Sequence, residues 1–517
     1  MCGRRSFKAY LAMGDLPLPT TALEESYEIA ESPAPPSHAK SIFWNFASLS
    51  TSAVFARFAG LATNAVLARR VSTSGFGIAG IAQSATMYFG LLSDLGLGTV
   101  AVREGAQHPD KLQTVISSMM GLRLVLSIGA SLLGLLVAPH LPFSESSRSL
   151  FRLYVLTLPI LALSVDWVFR AVQRMYWNTI LQIVTAVLTL VLTVIFVRYP
   201  RDLLRVAVIA AIAAAVTAFL GIVVLGRLGY HARPRFSVAE SKYLLGQSLP
   251  LCASSLAVLL YTQANCLILG AVRGETDVGL YSAAIRLSQV FYQPFWLFFG
   301  AMAPALMQCW AQSPERARTM LATSVRLTAI VSIGFGLMAV SAGPWLLVKV
   351  FGKPFSGSGQ AFELMIWTGV VIAIGHNWGE LAIAAKKNRL LLQSTFVGAF
   401  VNLAVCGATV SSMGIRGAAL SNLLGEIAVH VVLLSSFGWQ MGFQLLQRAA
   451  KPALAGAGAY AVSFATPGST PLLSAALTAT AFAVLLFLTG GITAEDLRRF
   501  CDLLPTRKVA PEVCSSQ

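Results

Sequence analysis

Four arginines, Arg57, Arg123, Arg286 and Arg326, stand inside otherwise apolar stretches of this 517-residue chain. A charged side chain at the centre of a membrane helix costs about 2.5–3.5 kcal/mol on insertion scales, so each must face protein or a water-filled cavity. The planar guanidinium fork takes phosphate or carboxylate oxygens two at a time. Binding an anionic group inside the helices is the chemistry these residues offer. Arg57 and Arg286 are the leading candidates for a phosphate contact, with Arg123 and Arg326 as a second pair. The second pair lies two or three turns from the ends of its segments, where an arginine can also snorkel to lipid headgroups. Pairing with carboxylates would serve all four equally.

The acidic counterparts are Asp94, Asp166, Glu363, Glu380 and Glu426, with His376 and His430 nearby. His376 and Glu380 are four apart, as are Glu426 and His430, so each pair shares a helix face. Such pairs could carry protons or couple an ion, or they could simply hydrogen-bond within a bundle. The run Phe291 to Phe299 holds six aromatic residues and could line a path or pack against lipid. No Walker A loop, HExxH, GxSxG elbow or Cys/His cluster is present, and the seven cysteines are scattered. No catalytic residue, metal or cofactor is therefore expected, and an enzyme is not.

The elements that hold these residues follow from composition. Hydrophobic residues make up 56 % of the chain, charged ones only 12 %, and the mean hydropathy is +0.70. Fourteen apolar segments occur between residues 42 and 489, most of them long enough to cross ~30 Å of hydrocarbon as a helix. The predicted class is an all-α polytopic membrane protein. A transmembrane barrel would show ~10-residue alternating strands instead. The net charge of +16 sits mainly in short connections, which points to lipid headgroups and excludes nucleic acid as the partner. Lys and Arg favour one side about two to one, which predicts cytoplasmic termini. Arg198, Arg201 and Arg205, crowded on one opposite-side connection, run against that rule.

The predicted organisation is a disordered cytoplasmic tail over 1–40, a six-helix bundle over 41–226 and a second over 227–438. Two further transmembrane helices follow over 439–492, then a cytoplasmic tail over 493–517. An internal repeat supports the two bundles. Ser127-Ile128-Gly129, Leu132 and Pro139 are matched by Ser332-Ile333-Gly334, Leu337 and Pro344 at the same spacing. Gly75-Phe76-Gly77 is matched by Val278-Gly279-Leu280. The offset of about 200 residues spans six segments, so both halves keep one orientation, as in parallel transporter repeats.

Three stretches carry a family resemblance. Leu67-Ala68-Arg69-Arg70-Val71-Ser72-Thr73-Ser74-Gly75-Phe76-Gly77, with Leu92-Ser93-Asp94-Leu95-Gly96-Leu97-Gly98 and Val102-Arg103-Glu104, resembles the opening of the Wzx-like polysaccharide flippases. These belong to the multidrug/oligosaccharidyl-lipid/polysaccharide exporter superfamily. Asn265 to Gly270 followed by Val278 to Ala284, and Gly414 to Leu420, are similar to two later stretches of that family. The chain departs from it at Ser72-Thr73-Ser74, where members show Gly-Pro and an acidic residue, and at Asn265, where an acidic residue is frequent. The resemblance implies a V-shaped, MATE-like fold of about 14 transmembrane helices: two pseudo-symmetric six-helix bundles plus two C-terminal helices. It implies translocation of an undecaprenyl-pyrophosphate-linked oligosaccharide across the bacterial inner membrane, with Arg57 and Arg286 on the pyrophosphate. It also implies membrane lipids, Na⁺ or H⁺, a polysaccharide polymerase and a chain-length regulator as partners. An ion-coupled exporter of drugs or small metabolites shares the fold and remains the rival. A membrane-embedded polymerase or transferase is a weaker one, because the connections are short.

Overall fold

The computed structural model describes the backbone over 36–464 and 470–492, and side chains over 54–438, 442–461 and 470–492. The expected tail over 493–517, and that over 1–40 up to residue 35, lie outside the described residues. The chain divides into Met1–Ala47, of which only the opening of the first helix is described, and Ser48–Gln517, which holds everything below.

All regular structure among the described residues is helical. In chain order the elements are α1 (Pro36–Asp94), α2 (Leu97–Gln107), α3 (Leu112–Val137), α4 (Glu145–Val155), α5 (Leu158–Ala162), α6 (Asp166–Ala171), α7 (Met175–Phe196) and α8 (Arg205–Arg227). They continue as α9 (Val238–Arg273), α10 (Glu275–Gln312), α11 (Pro314–Phe351), α12 (Gly359–Ala384), α13 (Asn388–Met413), α14 (Ile415–Ser436), α15 (Trp439–Phe464) and α16 (Pro471–Leu488). Among the described residues eleven stretches are long and apolar enough to cross a membrane.

The fourteen apolar segments map onto this order with three corrections. Segments 42–67 and 76–98 become the two limbs of α1, joined without a loop through a kink at Ser72, where φ is 69° and ψ 171°. The helical backbone begins at Pro36, inside the stretch expected to be tail. Segment 150–169 is not one helix but three short ones. Pro159 lacks an N–H and disfavours helix in the residue before it, which breaks the ladder after Val155. The short segment 453–465 is the second half of the longer α15, whose first half carries Arg448 and Lys451.

Irregular backbone at membrane depth persists only where its polar groups find partners. Ser131 Oγ donates to the Val155 carbonyl at 2.6 Å, and Arg123 Nη1 donates to the Ser164 carbonyl at 3.3 Å. The α1 kink is secured in the same way. Arg70 donates to the Val194 and Val197 carbonyls at the end of α7, at 2.6 and 2.7 Å. Arg69 donates to the Val350 carbonyl at 3.0 Å and to that of Lys349, at the end of α11. A cation on the orphan carbonyls of a helix C-terminus is favoured by the hydrogen bonds and by the dipole. Two neighbouring arginines thereby tie one kink to α7 and α11 at once.

Lipid tails are as apolar as leucine, so small residues that admit close packing hold membrane helices together. The second limb of α1 crosses α10 in this way. A Cβ on Gly77 would overlap the Glu275 carbonyl, and one on Gly279 would overlap the Thr73 carbonyl. These clashes mirror each other at a constant offset of 202 residues, the signature of a two-fold relation between repeats. Phe76, only 1 % exposed, lies beside this crossing and packs against Phe351 and Phe355 at centroid distances of 6.0 and 5.7 Å.

Candidate functional site

Arg57 and Arg286 come together along one face of α10. Arg57, on the first limb of α1, donates from Nε to Gln293 Oε1 and from Nη1 to Gln289 Oε1, both at 3.1 Å. Arg286 sits one turn earlier on α10 and donates to Gln83 Oε1 on the second limb at 2.8 Å. Its guanidinium also lies 5.4 Å from the centroid of the Phe76 ring. Three residues along a helix advance it ~4.5 Å, so both guanidinium groups lie within a few turns of each other. Neither forms an ion pair among the described residues; their partners are neutral carboxamides. A carboxamide oxygen orients a guanidinium without neutralising it. The result is two positive charges held in place with N–H donors to spare, a receptor for an anion.

The other two arginines are placed elsewhere. Arg123 pairs with Asp94 at 3.2 Å besides holding the broken backbone at Ser164. Arg326 donates to the Gly491 carbonyl, just after α16, at 2.7 and 3.0 Å. Both serve the scaffold in this arrangement.

The acidic candidates scatter as well. Asp94 and Asp166 share a polar cavity of about 300 Å³ with Thr99, Arg123, Trp167 and Arg170. Arg170 pairs with Asp166 at 2.9 Å, so each carboxylate there already has its cation. Glu363 accepts from Tyr460 of α15. His376 lies 3.4 Å from Glu380, with its ring against Trp296 and Phe299 at 4.9 and 4.7 Å. His430 lies 3.4 Å from Glu426, and its ring rests on Gly375 of α12. The two pairs therefore lie on neighbouring helices, α12 and α14. The aromatic run 291–299 packs partly within α10–α12, through Phe295 and Phe299.

Sequence reasoning missed the glutamines. Arg286, Gln289 and Gln293 follow an i, i+3, i+7 spacing, which puts three polar side chains on one face of an apolar helix. That signal was available. It also missed the cluster around Asn265, which is fully buried in α9. Asn265 Nδ2 lies 3.0 Å from Asn402 Oδ1, Ala418 O, Ser421 Oγ and Asn422 Oδ1. Asn422 Nδ2 in turn donates to Tyr281 Oη at 2.8 Å. Where an acidic residue was expected from the resemblance, a neutral amide ties α9 to α13 and α14.

The chain is 20 % identical over 343 residues to a candidate O-antigen transporter of Escherichia coli (strain K12), covering 63 % of this chain and 82 % of that one. Its fold superposes on the lipid II flippase MurJ in an inward closed conformation with a TM-score of 0.70. That match has 13 % identity and covers 87 % of this chain and 99 % of MurJ. An inward-facing multidrug resistance MATE family transporter of the MOP superfamily gives 0.63 at 14 % identity, over 77 % and 96 % of the two chains. The fold is thus MATE-like and polytopic. The model of one family, described as polysaccharide biosynthesis protein, matches residues 42–310, more than half the chain, and it is to this family that the protein belongs.

Proposed function

We propose that this protein is a flippase that carries a lipid-linked oligosaccharide, its lipid an undecaprenyl pyrophosphate, across the bacterial inner membrane for polysaccharide assembly. The observation that carries the reading is the pair Arg57 and Arg286, hydrogen-bonded between α1 and α10 by carboxamides and by no carboxylate among the described residues. A polyprenyl tail can remain in lipid throughout. The pyrophosphate cannot, and two oriented guanidinium groups without carboxylate partners among the described residues offer it a stop between the leaflets. A cavity for cationic drugs would place its carboxylates there instead. The family and the transporter relatives support a carrier and not a catalyst.

The moving parts in this reading are the bundles 41–226 and 227–438, with 439–492 packed outside the second and both termini cytoplasmic. They rock about the Gly77–Gly279 crossing, so that the arginine pair meets each side in turn. Na⁺ or H⁺ is the proposed energy source, with Glu380, Glu426 and His376 as its candidate groups. A polymerase and a chain-length regulator would receive the product. Arg123 and Arg326 support the transport path from the scaffold.

Complementation of a flippase-null strain tests this. Arg57→Gln and Arg286→Gln are expected to abolish surface polysaccharide at normal membrane abundance. Full complementation by both would remove the phosphate assignment.

A further inference from the structure

The arginines that broke the orientation rule have a structural setting of their own. Between the α1 kink, the start of α4 and the α7–α8 connection lies a cavity of about 440 Å³. Its polar wall consists of Ser72, Ser74, Ser146, Ser149, Glu145 and Arg201. The floor is apolar, from Val71, Ile78 and Leu203. The volume falls within the usual range for small-molecule sites. Ser72 is the strained residue of the kink, in a backbone region that non-glycine residues leave unless the surroundings hold them.

The charges of this cavity do not cancel. Glu145 is taken up by Arg152 at 2.7 Å and Arg148 at 3.7 Å, and the Arg152 hydrogen bond holds its carboxyl below the usual range. Asp202 is taken up by Arg205 at 3.0 Å and by the backbone N–H groups of Arg198 and Tyr199. Arg201 has no ion-pair partner among the described residues, and its guanidinium rests 5.1 Å from the centroid of the Tyr199 ring. Ser146 has no hydrogen-bond partner among the described residues. A spare cation and a free hydroxyl therefore face a space that also offers apolar contact.

The place of the cavity selects among anions. It opens where α7 ends and α8 begins, two of the membrane-capable helices. Tyr199, Phe196 and Leu204 around it are 56, 50 and 43 % exposed. Aromatic and basic residues at that level mark the boundary between hydrocarbon and headgroups. A soluble phosphate has no use for the apolar floor, whereas the acyl chains of a lipid do.

We propose that this cavity is a binding site for an anionic, hydroxyl-bearing phospholipid headgroup of the phosphatidylglycerol type, its phosphate on Arg201 and its hydroxyls on the serine wall. The site is separate from the arginine pair on α10, and its existence does not rest on the flippase reading.

The full-length chain in detergent, titrated with phosphatidylglycerol or phosphatidylcholine and followed by native mass spectrometry, tests it. Wild type should prefer phosphatidylglycerol by roughly tenfold, because phosphatidylcholine carries the same phosphate but sets a fixed cation against Arg201 and brings no hydroxyls to the serine wall. Arg201→Gln should reduce that preference to below about threefold. Arg198→Gln removes the same charge from a neighbour that does not line the cavity and holds no carboxylate with its side chain among the described residues, and should keep the preference. Glu145→Gln should strengthen it several-fold, because Arg148 and Arg152 are released toward the phosphate. Equal losses in Arg201→Gln and Arg198→Gln would mean diffuse surface charge and overturn the site. So would a weaker preference in Glu145→Gln, or inorganic phosphate competing as well as the lipid.

Discussion

A charge inside a membrane helix does not announce its task; its partners decide it. Arg57 and Arg286 have carboxamide partners, Arg123 a carboxylate and a freed carbonyl, and Arg326 a carbonyl past the end of α16. These differences separate two kinds of substitution. Arg57→Gln and Arg286→Gln should each slow transport at least about tenfold, the loss expected for one hydrogen bond to a charged group, with melting temperature unchanged. Arg123→Gln and Arg326→Gln should instead destabilise the fold by about 1–3 kcal/mol, because each removes the donor that satisfies a backbone carbonyl. Thermal unfolding beside transport per inserted molecule distinguishes the two. The sequence marks all four arginines by the same criterion, a charge in an apolar run. It cannot sort them, because the partners lie from 29 to 236 positions away. The polar face of α10 was the exception, written in the spacing of Arg286, Gln289 and Gln293.

At the scale of the element, two departures from regular helix organise the first half of the chain. The Ser72 kink stores backbone strain of about 1–3 kcal/mol, which glycine would relieve at a cost of ~0.5–1 kcal/mol in chain entropy. Ser72→Gly should therefore raise the melting temperature modestly, and a fall would show that the serine side chain earns its place by contact. The turn between α7 and α8 carries a pH signature. Backbone N–H donation from Arg198, then from Tyr199, with Arg205 nearby, holds the Asp202 carboxyl below the usual range. A lowered folded-state pKa gives stability that is complete above the unfolded value near 4 and lost as pH falls through the folded one. The advantage of wild type over Asp202→Asn in thermal unfolding should thus be constant from pH 7 to about pH 5 and shrink below pH 4. An advantage that grows on acidification would contradict the assignment. Helix class and order were legible from apolar length alone. The break of segment 150–169 was hinted at only by Pro159, since hydropathy averages over the short gaps at Leu156 and Leu163.

For the molecule as a whole, the repeat seen in sequence becomes a physical device at the crossing of α1 and α10. Gly77 and Gly279 allow two backbones to approach where any side chain would collide with a carbonyl. Glu275 adds hydrogen bonds from Ser74 at 3.4 Å and Ser147 at 2.9 Å, and Phe76 fills the space beside them. Gly279→Val should therefore force the two halves apart at this end. Spin labels placed on exposed positions of α4 and α13 should report a longer and broader distance distribution than in wild type. An unchanged distribution would show that the crossing does not set the spacing of the halves. The equivalence of Thr73 with Glu275 could not be read from the sequence, because it depends on backbone carbonyls and not on side-chain type.

In the proposed flippase, two arginines without carboxylate partners among the described residues receive the pyrophosphate of the cargo between the leaflets. Reconstituted proteoliposomes with a fluorescent, polyprenyl-pyrophosphate-linked oligosaccharide in one leaflet test it most directly, with transfer followed by quenching from the other side. Wild type should move the lipid, and the double variant Arg57→Gln/Arg286→Gln should be slower by about a hundredfold or more, as two charge-assisted contacts predict. Transfer by the double variant at the wild-type rate would contradict the account.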